Sequence, residues 1–234
     1  MDGALAEYMR IPSRYIVQGN IVHLPDTISF EEASLCEPLS TVVCSAEAVK
    51  IAPPDIVLVV GAGSMGILHV MISKLRGAQK VIVSEINEAR RKQALDFGVD
   101  IAVNPEKENL SEIVMNASYG RGADVIIIAA PSGEAQEESL EIIARQGRIN
   151  FFGGLPKGHD VIRFKSNIVH YKQIILKGTT GQSLAQYRKT IEIVASNNME
   201  IKKLISARYY SIEDAEKAFE RAKSKDVLKI VFNL

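Results

Sequence analysis

From Ile56 onward, short runs of β-branched and other apolar residues alternate with segments that carry apolar side chains at helical spacing. Such short runs are typical of strands that are buried on both faces of a parallel sheet. A chain in which strands and helices take turns builds a sheet with right-handed crossovers and helices on both faces. We therefore predict an α/β fold with a doubly wound, parallel, six-stranded sheet in the order 3-2-1-4-5-6. The predicted strands are 56–60, 81–85, 101–103, 125–130, 149–154 and 173–178.

The two flanks do not follow this alternation. Residues 1–35 are mostly β-like and loop-like, and Pro25 ends their apolar run. At the other end, the pattern predicts a helix over 184–196, followed by the run LISARYY, a helix that begins with a Ser211–Asp214 capping box, and a last strand in LKIVFNL. The flanks therefore look like pieces of a second domain. The predicted boundaries are 1–40, 41–187 and 188–234.

Composition argues against several classes of function. The chain has 234 residues, and its 28 Lys and Arg balance its 28 Asp and Glu, so neither a nucleic acid nor an anionic membrane is the expected partner. No apolar run approaches the ~20 residues that cross a bilayer, and the N-terminus lacks the layout of a signal peptide. Cys36 and Cys44 suit free thiols better than a disulfide framework or a shared metal. We expect a soluble, cytoplasmic protein.

A G-x-G-x-x-G pattern occupies residues 61–66, between the first predicted strand and the first predicted helix. In such a turn the first glycine permits the tight bend, the second lets the backbone approach a pyrophosphate, and the third lets the helix pack against the strand. The helix N-terminus offers N–H groups and a partial positive charge to phosphates. The pattern predicts a dinucleotide site, and a glycine-rich turn without a ligand is the alternative. The predicted cofactor-binding residues here are Gly61, Gly63, Ser64, Met65 and Gly66.

An acidic residue lies where a dinucleotide site needs one. Glu85 ends the second predicted strand, 19 residues after Gly66. A carboxylate at this position accepts both ribose hydroxyls of NAD and repels the 2′-phosphate of NADP, so we predict NAD as the cofactor. Arg90, five residues later, is a complication because a guanidinium could contact a 2′-phosphate. The alternative for Glu85 is a solvated carboxylate at a strand end.

Several segments, taken together, resemble the zinc-dependent medium-chain dehydrogenases, in particular their sorbitol (iditol) and threonine dehydrogenase branch. They follow the family order over essentially the whole chain, so the resemblance is specific for fold and cofactor and less specific for substrate. The segments are GALAEYMRIP (3–12), LPDTISFEEASLCEPLS (24–40), VVGAGSMG (59–66), GVDIAVNP (98–105), RGADVIIIAA (121–130), FFGGLP (151–156), ILKGTTG (175–181), YSIEDAEKAFE (210–220) and LKIVF (228–232).

The resemblance implies a Rossmann domain that is paired, in the complete family protein, with a barrel-like catalytic domain. That domain holds a catalytic zinc and usually a four-Cys structural zinc. Residues 1–40 match its last stretch, and the other zinc ligands have no counterpart in this sequence. We therefore expect a C-terminal portion of the family pattern, either a fragment, a truncated gene product or a split protein. The expected cofactor is NAD, and zinc is not expected on this chain alone.

The resemblance also implies roles for single residues. Met65 would cap the phosphate-binding turn, Glu85 would hold the adenosine ribose, Arg90 would lie beside the adenine, and Lys229 would lie near the pyrophosphate. Two segments would meet the nicotinamide, although turn residues without a ligand are the alternative. They are Phe152, Gly153 and Gly154 after the fifth strand, and Thr179, Thr180 and Gly181 after the sixth.

Two residues of the EPLST segment match catalytic positions of the family. Glu37 resembles the carboxylate beside or on the catalytic zinc, which makes it the one candidate metal ligand and a candidate catalytic residue. The alternative is a Glu at a helix N-terminus, followed by Pro38 in the first turn. Thr41 matches a position close to the nicotinamide. His69, in the first Rossmann helix, is better explained by packing or exposure than as a base, and a substrate role for His170 is the less favoured reading.

Three functions remain compatible with the sequence. The first is an NAD-dependent dehydrogenase of a secondary alcohol in a polyol or sugar, completed by its missing half. The second is an NAD(H)-binding module without chemistry of its own. The third is a structural remnant that forms the family's dimer contact, with the strand edge at 173–178 pairing across a two-fold axis. The resemblance favours a homodimer or homotetramer with a small-molecule substrate.

Overall fold

A computed structural model of the chain describes residues 5–234 and divides the protein into two compact units. The sheet unit is Thr41–Gly181, and the flank unit combines Met1–Ser40, of which residues 5–40 are described, with Gln182–Leu234. The predicted boundary at residue 187 thus differs from the observed division, which falls at Gly181. The reason is that helix α8 (Leu184–Ala195) folds as one element with the flank unit.

The sheet unit contains the six-stranded parallel sheet, and the predicted order is confirmed as β3-β2-β1-β4-β5-β6. The first and third strands have the predicted bounds, and the others differ by a few residues at their ends. The strands are β1 (Ile56–Val60), β2 (Lys80–Ser84), β3 (Ile101–Val103), β4 (Ala123–Ile128), β5 (Ile143–Phe151) and β6 (Ile175–Gly178).

The fifth strand begins six residues earlier than predicted. Its first part contains the polar sequence Arg145-Gln146-Gly147, which resembles a turn, and Gln146 has a positive φ of 60°. Even so, Ile143 already pairs with Ala123, and the register shifts by a bulge before the regular pairing of β4 and β5 begins. The bulge accommodates the polar residues without ending the strand.

Helices cover both faces of the sheet. One face packs against a cluster that includes Leu58, Ile82, Ile126, Ile149 and Leu140, all fully buried. The alternate strand residues, such as Val57 and Val81, are equally buried on the other face, which is the burial pattern of a parallel sheet. The helices that contribute to this unit are the second part of α2 (Phe30–Ala48), α3 (Ser64–Leu75), α4 (Glu88–Leu95), α5 (Leu110–Ala117), α6 (Gly133–Ile142) and α7 (Ser166–Lys172).

The flank unit combines helices, loops and two strands. For the described residues 5–35 the expected loop-like structure is present, whereas the expected β-like structure was wrong, and residues 1–4 lie outside the described range. The described residues 5–29 contain no strand, and the segment YIV lies instead in the short helix α1 (Ser13–Val17). The N–H groups of Gly19 and Asn20 donate to carbonyls of the same turn, at 3.0 and 2.9 Å. The backbone therefore finds its partners locally, and alternation of apolar residues alone does not make a strand.

The C-terminal flank forms the two predicted helices and the predicted last strand, and it adds a strand in the run LISARYY that was not predicted. It contains α8, β7 (Ile205–Tyr209), α9 (Ala215–Ala222) and β8 (Lys229–Phe232), and β7 pairs with β8 in parallel. The predicted Ser211–Asp214 capping box is wrong, because a 3-10 turn at Ile212–Asp214 intervenes and the Ser211 hydroxyl accepts from the Glu213 N–H. The capping box occurs at Ser183 and Gln186, at the start of α8.

Charged groups connect the first turn of α2 to the rest of the flank unit. The guanidinium of Arg208 on β7 donates two hydrogen bonds to the carboxylate of Glu31, at 2.6 and 3.1 Å, and Asn233 donates a third at 3.1 Å. Lys202 pairs with Glu32 at 3.3 Å. The Arg208 guanidinium thus pairs side-on with the Glu31 carboxylate, which is a strong geometry. Together these contacts join α2 to β7 and to the C-terminal residues of the unit.

We predict that Gly66→Ala destabilises the fold strongly. A Cβ atom on Gly66 would lie 1.9 Å from the carbonyl oxygen of Gly61, so strand β1 and helix α3 would have to separate. We expect the free energy of unfolding to fall by about 3 kcal/mol or more, as for severe overpacking. Urea denaturation followed by far-ultraviolet circular dichroism measures this. Gly178→Ala is the matched control, since nothing lies within 4 Å of its added Cβ, and equal stability of the two variants would contradict the prediction.

Candidate functional site

The turn between β1 and α3 presents backbone groups to open space. Gly61 has a φ of +99°, a conformation that favours glycine, and its N–H donates to the Ser84 carbonyl at 2.8 Å. Gly63 is the N-cap of α3 and supplies no side-chain cap. A Cβ atom added at Gly63 would meet only Arg90 Nη1, at 4.0 Å. The positive end of α3 is thus accessible to an anion.

The Glu85 carboxylate is attached to this turn. It follows β2 directly, its residue is only 8% exposed, and its Oε2 accepts from the Ala62 N–H at 2.8 Å. Its Oε1 accepts from the Asn87 N–H, also at 2.8 Å. The alternative of a freely solvated carboxylate therefore does not hold. Each oxygen has a further lone pair, so the group can still accept hydrogen bonds from a ligand.

A pocket of about 520 Å³ opens beside the turn, at the carboxyl ends of β1, β2 and β4. Its lining includes three of the predicted cofactor residues, Gly61, Glu85 and Arg90. Apolar side chains such as Leu58 and Ile126 form part of the wall, and polar groups of α6 form another part. An apolar cleft with a few converging polar groups, at the point where the strand order reverses, has the form of a ligand site.

The charge of this lining is predominantly negative. Glu106, Glu134 and Glu138 join Glu85 among the lining residues, and Arg90 is the one cationic residue among them. Partial burial raises the pKa of Glu138, and the neighbouring carboxylate of Glu134 raises it further. A phosphate added to a ligand in this pocket would be repelled by these carboxylates, so the pocket disfavours such a ligand.

Arg90 lies close to the glycine turn. It is in the first turn of α4, where its N–H donates to the Asn87 side chain at 3.0 Å, and Asn87 caps the helix. Its guanidinium reaches the space above Gly63 as well as the pocket. This position suits a phosphate of the turn as well as the adenine end that the sequence suggested.

The two segments expected at the nicotinamide follow neighbouring strands. Phe151 on β5 pairs with Gly178 on β6, so 152–154 and 179–181 leave the sheet at the same edge as the glycine turn. The N–H groups of Phe152 and Gly153 donate to the Ile128 carbonyl, at 3.1 and 2.8 Å. A Cβ atom on Gly153 would lie 2.9 Å from the Ala130 carbonyl oxygen, which ties this segment closely to the end of β4.

Three predicted residues lie elsewhere. Glu37 is on α2 in the flank unit, exposed, and accepts from Gln182 Nε2 at 3.3 Å. Pro38 is inside α2 rather than in its first turn, because the helix begins at Phe30, so the first-turn alternative was wrong. Thr41 follows one turn later on α2, and Lys229 begins β8 in the flank unit. None of the three lines the 520 Å³ pocket.

Metal-binding groups do not converge in the described chain. Among residues 5–234, no group of three His, Cys, Asp or Glu side chains is placed to hold a metal ion. The residues present therefore do not fit a zinc site. Both cysteines are free thiols; Cys36 is buried and Cys44 half-buried, and burial raises the pKa of the Cys36 thiol to about 11. No helix of the described residues is long and apolar enough to span a membrane.

Two buried polar side chains contact the segments 152–154 and 179–181, and the sequence analysis singled out His69 but not Asn150. Asn150 is fully buried in β5, where its Oδ1 accepts from the Thr179 hydroxyl at 3.1 Å. His69 is fully buried in α3 and contacts Phe152 edge-on, with ring centroids 4.5 Å apart. The packing interpretation of His69 agrees with this position. A polar residue inside the apolar run INFF was the available signal for Asn150.

Comparison with known proteins gives relatives that are longer than this chain. L-threonine 3-dehydrogenase of Pyrococcus furiosus is 33% identical over 234 residues, which are 100% of this chain and 65% of that protein. D-xylulose reductase A of Aspergillus oryzae is 30% identical over 97% of this chain and 62% of its own length. The chain thus spans less than two thirds of the length of these relatives.

Solved structures share the fold. A short chain alcohol dehydrogenase from E. coli CFT073, complexed with NADH, superposes with a TM-score of 0.82 at 19% identity. A protein from Sinorhizobium meliloti 1021 bound to NADP also gives 0.82, at 23% identity. Each match covers 91% of this chain and 62% of the other.

The central part of the chain matches a known protein family. Residues 64–196, more than half of the chain, match the family described as zinc-binding dehydrogenase. The matched region begins at the first residue of α3 and extends past the sixth strand. The glycine turn, the sheet order and the relatives agree with this match, and the chain belongs to the zinc-binding dehydrogenase family.

Proposed function

We propose that this chain is the NAD-binding portion of an NAD-dependent dehydrogenase that acts on a secondary alcohol of a sugar alcohol or related small polyol. The observation that carries the proposal is the hydrogen bond from the Ala62 N–H to Glu85 Oε2. It joins the glycine turn at the N-terminus of α3 to an acidic group at the end of β2, beside a pocket of about 520 Å³. A dinucleotide needs this combination of a phosphate site and a ribose site.

The phosphate and ribose sites fit NAD. The pyrophosphate would lie over Gly63, where no side chain blocks the positive end of α3. The adenosine would enter the pocket, and its ribose hydroxyls would donate to the remaining lone pairs of Glu85. The four carboxylates of the lining disfavour the 2′-phosphate of NADP, which supports NAD as the preferred cofactor.

The other end of the dinucleotide would lie at 152–154 and 179–181. Both segments leave the sheet at the edge that carries the glycine turn. When bound, NAD⁺ supplies a hydride acceptor, and this chain's residues orient the ring and exclude water from it. The catalytic roles of Glu37 and Thr41, and the pyrophosphate role of Lys229, remain proposals that rest on the family resemblance.

The alcohol substrate is proposed on the resemblance and the names of the relatives. Those relatives are named for L-threonine and for D-xylulose, so substrates differ within the group. Any catalytic zinc of the whole enzyme would need further ligands beyond the described residues, which bring no group of three metal-binding side chains together. The proposal therefore assigns this chain the cofactor and leaves alcohol activation to the remaining part of a complete enzyme.

A second candidate is an NAD(H)-binding module without catalysis of its own. The same cofactor groups support it, and the lack of a metal-binding group among residues 5–234 favours it for the chain taken alone. The two candidates differ in chemistry rather than in cofactor binding. Metal content and turnover distinguish them.

We predict that the chain binds NADH at least about tenfold more tightly than NADPH, because like charges in the pocket oppose the 2′-phosphate. Glu85→Gln should reduce this difference several-fold by removing the carboxylate charge. Quenching of intrinsic tyrosine fluorescence, or titration calorimetry, measures both dissociation constants. Glu88→Gln is the control, since Glu88 is an exposed carboxylate of α4 that pairs with Lys92. Equal affinity for both cofactors, unchanged in Glu85→Gln, would refute the assignment.

A second prediction concerns metal and turnover. The purified chain should bind NADH, hold zinc at well below one ion per chain after dialysis, and fail to reduce NAD⁺ with polyols, because the described residues form no metal site. Elemental analysis and absorbance at the NADH band measure these quantities. Stoichiometric zinc together with turnover would contradict the binding-module candidate and support a complete catalyst.

A further inference from the structure

Asn150 occupies a position that an apolar side chain would ordinarily fill. It lies on β5 between Ile149 and Phe151 and has no exposed surface. Its Oδ1 accepts a hydrogen bond from the Thr179 hydroxyl at 3.1 Å, while its Nδ2 has no hydrogen-bond partner among the described residues. A buried amide with an unmet donor costs stability, so the fold alone does not account for this residue.

His69 on helix α3 is a second buried polar side chain whose hydrogen-bonding groups lack partners among the described residues. It lies on α3, five residues after Ser64, with no exposed surface, and neither ring nitrogen has a partner in the described part of the chain. Its ring meets Phe152 edge-on, with centroids 4.5 Å apart and planes at 87°. Burial lowers the pKa of His69 to about 3, so the imidazole is neutral at physiological pH.

These two side chains act on the two segments that follow β5 and β6. Asn150 lies near the end of β5, and Phe152 is the first residue after that strand. Asn150 connects β5 to Thr179, the first residue after β6. His69 connects Phe152, the first residue after β5, to α3, the helix whose N-terminus carries the glycine turn. One polar pair and one ring contact thus fix both segments relative to the phosphate end.

We propose that Asn150 and His69 are positioning residues for the nicotinamide end of the cofactor. Asn150 holds the segment 179–181 against the end of β5. His69 holds Phe152, and with it the segment 152–154, against α3. The inference rests on the proposed function, because it needs the dinucleotide to lie across this edge of the sheet. It adds two residues that touch no part of the cofactor and act through Thr179 and Phe152.

A positioning role and a purely structural role of these residues differ in their effect on the binding of ADP-ribose. ADP-ribose contains the adenosine and both phosphates and lacks the nicotinamide. Its binding uses the glycine turn and Glu85 and is independent of 152–154 and 179–181. Loss of a positioning contact therefore weakens NADH and leaves ADP-ribose unchanged, whereas a general loss of order weakens both ligands.

Titration calorimetry with NADH and with ADP-ribose tests the proposal on three variants. Thr179→Val removes the hydroxyl that donates a hydrogen bond to Asn150 Oδ1, and Thr179→Ser keeps that donor. His69→Leu removes the ring that supports Phe152. Thr179→Val and His69→Leu should weaken NADH binding by about 3- to 10-fold, the range of one hydrogen bond or ring contact, with ADP-ribose within about twofold of wild type. Thr179→Ser, which keeps the hydroxyl donor, should recover most of the NADH affinity that Thr179→Val loses, with ADP-ribose within about twofold of wild type.

Each other outcome overturns the proposal. Equal losses for NADH and ADP-ribose, no loss for either ligand, or a loss in Thr179→Ser as large as in Thr179→Val would each contradict it. Urea denaturation identifies a His69→Leu protein that does not fold. In that case the two variants of the half-buried Thr179, Thr179→Val and Thr179→Ser, decide the test. Failure of the wild-type chain to bind ADP-ribose would overturn the proposed function itself, and with it this inference.

Discussion

The close approach of helix α3 to the end of strand β1 is the constraint on which the rest of the site depends. Because Gly66 has no side chain, it can lie against the carbonyl of Gly61, and α3 starts immediately after the strand. That placement brings the uncapped helix N-terminus to the carboxyl edge of the sheet. The Ala62 N–H then reaches Glu85, so that one short turn fixes both an anion site and the acidic group beside it.

The sheet distributes the remaining groups around this turn. The order β3-β2-β1-β4-β5-β6 places β2 on one side of β1 and β4 on the other, and it sends β5 and β6 outward from β4. Glu85 consequently lies on one side of the turn, and the segments after β5 and β6 lie on the other. The pocket lies at the ends of β1, β2 and β4. A dinucleotide can cross the edge of the sheet between them, as open α/β sheets allow at a point where strand order reverses.

The groups proposed to bind the cofactor lie in the sheet unit, with the exception of Lys229. They are largely backbone atoms held by close packing, together with Glu85 and Arg90. The described residues bring no metal-binding group together. Relatives named for a threonine and for a xylulose share this region at 33% and 30% identity, so the region carries what those proteins have in common.

Structural features that depend on the local spacing of residues were predicted correctly. Short β-branched runs gave the strands and their order, since a strand that is buried on both faces needs apolar residues without interruption. The polar start of β5 was hidden, because its bulge with β4 depends on Ala123 and Ile143, which are 20 residues apart. The β-like part of the prediction for residues 5–35 was wrong, because α1 and the turn at Gly19 satisfy the backbone locally where alternation suggested strands.

The sequence by itself determined the fold class, the strand order, the glycine turn and the position of Glu85, because each depends on residues that are close together in the chain or on a repeating period. Only the tertiary structure decided that Glu85 is bound to the turn, that Asn150 reaches Thr179, and that His69 supports Phe152. These contacts join residues 23, 29 and 83 positions apart. No local pattern encodes them, since they arise only when separate strands and helices end at the same edge of one sheet.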